Sequence, residues 1–108
     1  MKKVLEKVRY SDEDLMMFKR LINKRIFHSK IVLKYHVEEH KKDPDDMETF
    51  SQIAVQRYMI DELREALERI NTRRFGVCEK TRQLIDKQTL MLLPYVRTIE
   101  DAEILLGK

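Results

Sequence analysis

One segment of the sequence begins like a zinc-binding ribbon. In RRFGVCEKTRQLI, which starts at residue 73, Gly76 provides a turn just before Cys78, and a tight knuckle would place a second thiolate at position 81. That position holds Thr81, and Cys78 is the only cysteine in the chain. Since one thiolate cannot complete a tetrahedral zinc site, we expect no metal and interpret Cys78 as a small apolar group beneath the knuckle. The neighbouring Glu79 gives no reason for a lowered thiol pKa.

A second candidate for metal chemistry is HVEEH, at residues 36–40. It fits H-x-x-E-H, in which two histidines one helical turn apart hold zinc beside a glutamate base. The spacing places His36 and His40 on one face of a helix. A catalytic zinc also needs a third protein ligand and an enclosed cavity, which the end of a helical rod does not offer. We therefore rank a metallohydrolase third among the functions considered and expect a solvated helix end here.

The third candidate is an acidic cluster with four carboxylates within six residues. Its members are Asp43, Asp45, Asp46 and Glu48. Acidic residues at a turn are often helix caps favoured by the helix dipole. They can equally form a probe that carries negative charge into a basic site on another macromolecule. The residues alone leave both interpretations open.

Two long helices must position these residues. Ser11 and Asp14 form a capping box, with Tyr10 and Leu15 at the hydrophobic-staple positions, so the pattern predicts a helix that begins at Asp12. Its buried row continues to about residue 40 through Leu15, Phe18, Ile22, Ile26, Ser29, Leu33 and Val37.

The second helix is predicted from a proline and a seam. Pro44 suits a first helical position, so we expect Asp43 to cap this helix. The seam steps by three and four residues, as in a coiled coil, through Ile53, Gln56, Ile60, Leu63, Leu67 and Ile70. Two helices of about 28 residues joined by a short turn must run antiparallel and span about 40 Å each.

Beyond Asn71 the periodicity changes and predicts a small lobe. Thr98, Asp101 and Gly107 mark a short final helix, and we expect its apolar residues Ile99, Ala102, Leu105 and Leu106 to close the lobe. The predicted fold is mainly α: an antiparallel two-helix coiled-coil hairpin at 11–72 with its tip at 41–48, and a lobe with a C-terminal helix at 73–108. Residues 1–10 are expected to pack on the lobe.

Composition agrees with this architecture. The 108 residues suffice for one domain, and 38% charged residues with only 2 Gly and 2 Pro favour long solvated helices. A net charge of +3 is too mild to indicate nucleic-acid binding by itself. The lone cysteine, and the absence of an apolar run of signal-peptide or membrane-spanning type, lead us to expect a cytoplasmic protein.

The stretch ALERINTRRFGVCEKTRQLIDKQTLMLLP resembles the C-terminal signature of the DksA/TraR family of bacterial transcription regulators. The family's F/Y-G-x-C, Ile, Leu and Pro positions are occupied by Phe75, Gly76, Cys78, Ile85, Leu90 and Pro94. The opening YSDEDLMMFKRLI is similar to family members that have lost their zinc. The resemblance therefore extends over nearly the whole chain.

The resemblance implies an antiparallel coiled coil with a degenerate zinc-ribbon-like base and an RNA polymerase partner, whose secondary channel receives the coiled-coil tip. The family's tip pattern, D-x-x-D-x-A, carries over to Asp43 and Asp46, while Glu48 replaces the alanine. We expect the basic residues Arg73, Arg74 and Arg82 of the lobe to meet acidic polymerase surface. The alternative is a coiled-coil adaptor with no role at polymerase. We expect no enzymatic activity, cofactor, membrane partner or sequence-specific nucleic-acid partner.

Several departures limit what the resemblance implies. Thr81 and Arg82 replace the second cysteine and the knuckle glycine, and the later cysteine pair is absent, so the family's zinc does not carry over. Thr89 and Glu62 stand near positions that are basic in the family, so the resemblance does not carry over a response to guanosine tetraphosphate. The second arm is shorter by about eight residues, or roughly 12 Å of helix.

Overall fold

A computed structural model describes residues 8–107, and these residues are mainly helical. They form α1 at Asp12–Lys42, α2 at Met47–Asn71, α3 at Lys87–Leu92 and α4 at Ile99–Leu105. Within the described range no β-strand forms, and a single antiparallel bridge joins Val77 to Leu84. Most of the segment 1–10, expected to pack on the lobe, lies outside the described residues.

The start of α1 is confirmed. The Ser11 side chain accepts a hydrogen bond from the Asp14 N–H at 3.1 Å, as the capping box predicts. Along the helix the predicted row faces inward, and Phe18 and Ile22 have no exposed surface. The row is only half-buried at Leu33 and beyond. The buried face is therefore strongest in the half of α1 that is farther from the turn.

The predicted start of α2 is wrong by three residues. Pro44 lies in the turn, and the helix begins at Met47 with Asp46, rather than Asp43, as its N-cap. The Asp46 carboxylate accepts hydrogen bonds from the Glu48 N–H at 3.0 Å, from the Thr49 N–H at 3.4 Å and from the Thr49 hydroxyl at 2.8 Å. Three donors on one carboxylate outweigh the preference of proline for a first helical position.

The two long helices pack against each other, as predicted. The connection at 43–46 is short, so α2 returns antiparallel along α1. On α2 the fully buried contacts are Ile60, Leu63, Ala66 and Ile70. Residues 53, 56 and 67 of the predicted seam are only partly buried. The molecule measures 69 × 28 × 18 Å, which exceeds the length of about 46 Å expected for α1 alone.

Residues 73–107, called the C-terminal segment below, account for the remaining length. They bury Phe75, Ile85, Leu90 and Val96 in the same core as the helix pair. The predicted start of α4 is confirmed, because the Thr98 hydroxyl accepts from the Asp101 N–H at 2.9 Å. The expectation that Leu105 closes this region is wrong, because this residue is 57% exposed.

Helix α3 was not predicted. Its N-cap is Asp86, whose carboxylate accepts hydrogen bonds from the N–H groups of Gln88 at 3.1 Å and Thr89 at 3.3 Å. The signal was an aspartate four residues before a short apolar run. Six residues are too few for helical periodicity to be recognised in the sequence.

Polar contacts tie the C-terminal segment to both long helices. The Arg25 guanidinium donates to the carbonyls of Met91 at 2.6 Å and Leu92 at 2.9 Å, at the C-terminal end of α3. The Arg97 guanidinium pairs with Glu62 at 3.5 Å and also with Glu65 on α2. Together with the shared core, these contacts fix how the segment sits on the helix pair.

Tyr10, the residue before the N-cap of α1, adds another tie. Tyr10 is buried, its hydroxyl donates to the carbonyl of Ile85, and its ring meets that of Phe18 edge-on at 5.6 Å. Gly76, at φ +78°, leaves so little room that an added Cβ would stand 2.7 Å from the Tyr10 ring. Within residues 8–107 no helix combines the length and apolar character needed to cross a membrane.

Candidate functional site

The acidic cluster lies in the turn between the two long helices. Asp43 ends α1, where its N–H donates to the Glu39 carbonyl at 3.2 Å and its own carbonyl accepts from the Asp46 N–H at 3.1 Å. The side chains of Asp43, Asp45 and Glu48 are exposed, and none forms an ion pair with another described residue. The turn therefore presents three carboxylates with no structural partner.

Asp46 differs from its neighbours because it is a structural cap. The hydrogen bond from the Thr49 hydroxyl, followed by that from the Thr49 N–H, lowers the pKa of this carboxyl. Asp46 is therefore charged at neutral pH while its oxygens are engaged. Of the four carboxylates predicted to act together, three are free and one holds the helix start.

The histidine pair does not form a metal site with other described side chains. The His36 ring lies 5.3 Å from that of Tyr35, and the His40 ring lies 6.0 Å from that of Phe50. Across residues 8–107, no three His, Cys, Asp or Glu side chains converge as metal ligands would. The described residues supply no third ligand for the zinc-protease interpretation.

At the opposite end of the molecule, Cys78 is buried and its sulfur accepts backbone hydrogen bonds. The N–H groups of Thr81 and Ile99 lie 3.4 Å and 3.3 Å from Sγ. Burial alone would raise the thiol pKa, but hydrogen bonds from the Thr81 hydroxyl and from backbone N–H groups outweigh it and lower the pKa to about 7. The expectation of an unshifted thiol is therefore wrong, because adjacent charge was considered and backbone donors were not.

The turn that follows Cys78 is tight. The Arg82 N–H donates to the Cys78 carbonyl at 2.8 Å, and the Cys78 N–H donates to the Gln83 carbonyl at 2.8 Å. Closing this turn places Arg82 at φ 64°, in the left-handed region that favours glycine.

A second arginine has the same backbone conformation at the end of α2. Arg73 has φ 61°, its N–H donates to the Ile70 carbonyl at 3.0 Å, and the Arg74 N–H donates to the Arg69 carbonyl at 2.8 Å. These two bonds define a Schellman motif, whose left-handed residue is usually glycine.

The structure brings the three predicted basic residues together. Arg73, Arg74 and Arg82 line one cleft, which Arg9 and Arg69 also line. Sequence reasoning did not single out those last two. Arg69 had a usable signal, because it follows Ala66 by three residues on the face of α2 that packs inward.

Sequence reasoning also missed an exposed apolar row on α1. Phe27, Ile31 and Tyr35 are 68%, 53% and 60% exposed, and they succeed one another at four-residue steps. Their spacing places them on one helix face, away from the seam. A second apolar face on a helix whose first face is already buried is the signal that would have found them.

No family model, curated protein or solved structure matches the chain.

Proposed function

We propose that the chain is a non-enzymatic transcription regulator of the DksA/TraR type, which binds RNA polymerase and inserts its acidic tip into the secondary channel. The observation that carries this proposal is the position of the free carboxylates. They lie at the turn of a long helical hairpin, whereas the contacts that orient the hairpin are at its other end. Such an arrangement suits a probe held by its base, the name used below for the C-terminal segment together with the parts of α1 and α2 packed against it.

The form of the base supports the proposal. We interpret the turn at 78–82 as a zinc-ribbon-like knuckle without metal, within a small C-terminal lobe. The N–H of Thr81 points to the Cys78 sulfur at 3.4 Å, and the left-handed residue of the turn is Arg82, at the position of the family's knuckle glycine. In this interpretation apolar packing around Phe75 and Leu90 takes over the role of the metal.

The tip has too little surface to supply much affinity, so its contribution is charge. Asp43, Asp45 and Glu48 serve no core and satisfy no described partner, so they remain available to a site outside the molecule. A polymerase active site works with magnesium and nucleotide phosphates, where water is partly excluded and charges interact strongly. Affinity comes from the flanks and the base, where Arg73, Arg74 and Arg82 face acidic polymerase surface.

The test is a double substitution at the tip, Asp43→Asn with Asp45→Asn. Asparagine retains the size of aspartate, and the Asp46 cap is kept, so α2 should keep its start while two negative charges are lost. We expect the variant to bind polymerase within a few-fold of the wild type and to lose its effect on transcription in vitro. The matched control, Asp61→Asn with Glu68→Gln, removes two exposed charges of α2 away from the tip and should retain that effect.

Two results would contradict the proposal. An unchanged transcriptional effect in the tip variant would mean that the turn is merely solvated. Failure of the wild type to bind polymerase would remove the proposal altogether.

The exposed row of Phe27, Ile31 and Tyr35 favours a second candidate function, an adaptor that docks another protein along α1. Exposed apolar rows on helices commonly mark protein contacts. For an adaptor, Ile31→Lys should abolish capture of the partner while the tip variant captures it normally. For a regulator that acts through its tip, the tip variant is the one that loses function.

A further inference from the structure

A cleft of about 630 Å³ opens at the base, beside the C-terminal end of α2. This volume is in the range of about 300 to 1,000 Å³ typical of small-ligand sites. Its charged lining consists of Arg9, Arg69, Arg73, Arg74, Arg82 and Glu79. Five guanidinium groups against one carboxylate make the cleft strongly positive.

Arg69 is the buried member of this set. It is only 6% exposed, and its Nη2 donates to the Tyr95 carbonyl at 3.2 Å. Its Nη1 is buried and has no hydrogen-bond partner among the described residues. A buried charged donor without an acceptor is unfavourable, and Arg69 lines the cleft, so a small shift of this side chain would let Nη1 meet an acceptor there.

Nearby carboxylates offset the positive charge at the floor, where three glutamates act on Arg69, but they leave the rim positive. Glu79 lies 4.0 Å from Arg97, which also engages two glutamates of α2. Arg73 pairs with Asp12 at 3.5 Å, but both side chains are well exposed. The other rim arginines, Arg74 and Arg82, form no ion pair with a described carboxylate.

The backbone at the rim is also unusual. Arg73 and Arg82 both have a left-handed conformation that glycine would adopt with less strain, and both line this cleft. Positions at which a long cationic side chain is kept despite backbone strain are candidates for function.

We propose that the cleft binds the terminal phosphate or pyrophosphate group of a small phosphorylated molecule. Arg69 meets the group at the floor, and Arg74 and Arg82 hold it from the rim. Guanidinium groups match phosphate oxygens in pairs, and several of them suit the double negative charge of a terminal phosphate. Because Arg69 is buried, a terminal group reaches it and the continuous backbone of a nucleic acid does not. The site does not require the polymerase proposal, but it engages Arg74 and Arg82, which that proposal also assigns to acidic polymerase surface.

The experiment is calorimetric titration of the full chain with pyrophosphate in about 150 mM KCl, where weak surface attraction is screened. We expect saturable binding to one site with a Kd below about 1 mM. Arg74→Gln and Arg82→Gln should each weaken binding about tenfold, the loss expected for one charge-assisted pair. The matched control is Arg57→Gln, at an exposed arginine of α2 that lies nearer the turn. This variant should bind like the wild type.

Arg69, at the floor of the cleft, can be observed directly in the wild type, which avoids any variant that fails to fold. In side-chain NMR spectra of the wild type, the guanidinium signals of Arg69 should shift on pyrophosphate addition and saturate with the calorimetric Kd. Binding that does not saturate, or that weakens equally in Arg57→Gln and Arg82→Gln, would overturn the proposal in favour of diffuse attraction. Tighter binding of a single-stranded oligonucleotide than of pyrophosphate would overturn it in favour of nucleic acid. Polymerase is absent from these measurements, so their failure is distinct from failure of the proposed function.

Discussion

The two ends of the molecule use charge in opposite ways. At the turn, Asp43, Asp45 and Glu48 are exposed and bond to no described side chain, and a single cap at Asp46 holds the local structure. At the base, charged groups are part of the structure. Arg25 binds carbonyls of α3, and other arginines bridge α2 to the C-terminal segment.

The difference follows from packing. The turn has almost no core, so its side chains are not constrained by neighbours and its charges remain available. The base buries aromatic rings such as Phe18 and Phe75, whose centroids are 5.0 Å apart, and its charges must be paired or oriented around them. A substitution at the base should therefore alter global stability, and one at the turn should alter local structure or function.

The largest effect is expected at the core between the helices. Leu63 is 1% exposed, so Leu63→Ala removes a packed side chain and should lower the free energy of unfolding by about 3 to 5 kcal/mol. Chemical denaturation would measure it. The exposed control Glu68→Ala should change stability by less than about 0.5 kcal/mol. Equal, small losses at both positions would contradict the packing of these helices.

The next effect is expected where the base is tightest. Gly76→Ala combines a left-handed backbone with a Cβ that would stand 2.7 Å from the Tyr10 ring, so we expect a loss of about 2 to 4 kcal/mol. Gly107→Ala is the matched control, because Gly107 has a similar φ of +76° and nothing within 4 Å of the added carbon. Gly107→Ala should lower the free energy of unfolding only by the cost of its left-handed backbone. Similar losses at the two glycines would show that Tyr10 does not press on position 76.

A smaller effect is expected from ionisation of Cys78. Its pKa is lowered from 9.0 to about 7 in the folded chain, so the stabilisation is full above pH 9 and is lost as the pH falls through about 7. The free energy of unfolding should therefore decrease from pH 9 to pH 6 more steeply in the wild type than in Cys78→Ala. Thiolate ultraviolet absorbance would follow the titration. Parallel pH profiles for the two proteins would rule out a lowered thiol pKa.

A gain in stability is expected at the turn that follows Cys78. Arg82→Gly relieves the left-handed strain at φ 64° and, after the entropy cost of glycine in the unfolded chain, should stabilise by about 0.5 to 1 kcal/mol. Arg74→Gly is the control, since it also removes an arginine from the cleft but gains no relief from a left-handed φ. Thermal melts of the two variants should move in opposite directions. A loss of stability in Arg82→Gly would mean that its side chain contributes more than its backbone costs.

The smallest effect is expected at the turn, and it is local. The pKa of Asp46 is lowered, so its stabilisation of the start of α2 is full above its ordinary pKa of 3.8 and is lost as the pH falls through the lower folded value. Carboxyl NMR shifts would report this titration. Thr49→Val removes the hydroxyl that contributes most and should return the pKa toward its ordinary value. No change in the Asp46 titration would contradict the capping geometry.

The helices and their inward faces were largely predictable from the sequence because short-range rules determine them. The capping boxes at Ser11 and Thr98 act over three residues, and the buried face of α1 follows from helical periodicity. The start of α2 was missed because Asp43 and Asp46 are both good caps. The three hydrogen bonds that the Asp46 carboxylate accepts, one of them from the Thr49 hydroxyl, distinguish it in the structure.

The candidate sites were predictable only in part. The acidic turn is contiguous in the chain, so its residues could be recognised together. The arginine cleft collects residues from before α1, from the end of α2 and from the turn that follows Cys78. No local sequence pattern relates these three places. Arg69 belongs to a buried helix face, and its partnerless nitrogen depends on how the C-terminal segment packs over it.

The sequence by itself determined two long amphipathic helices, the turn that carries four carboxylates, and the absence of a second cysteine beside Cys78. These features depend on residue type and on spacings of a few residues, where propensity and periodicity dominate. The tertiary structure alone decided which carboxylate is a cap, which arginines share a cleft, and how backbone N–H groups lower the pKa of a buried thiol. The cleft and the hydrogen bond from Ile99 to Cys78 depend on contacts between residues distant in the chain. The Asp46 cap is local, but it depends on where the turn places the side chain, because burial and hydrogen-bond geometry are set only when the chain packs.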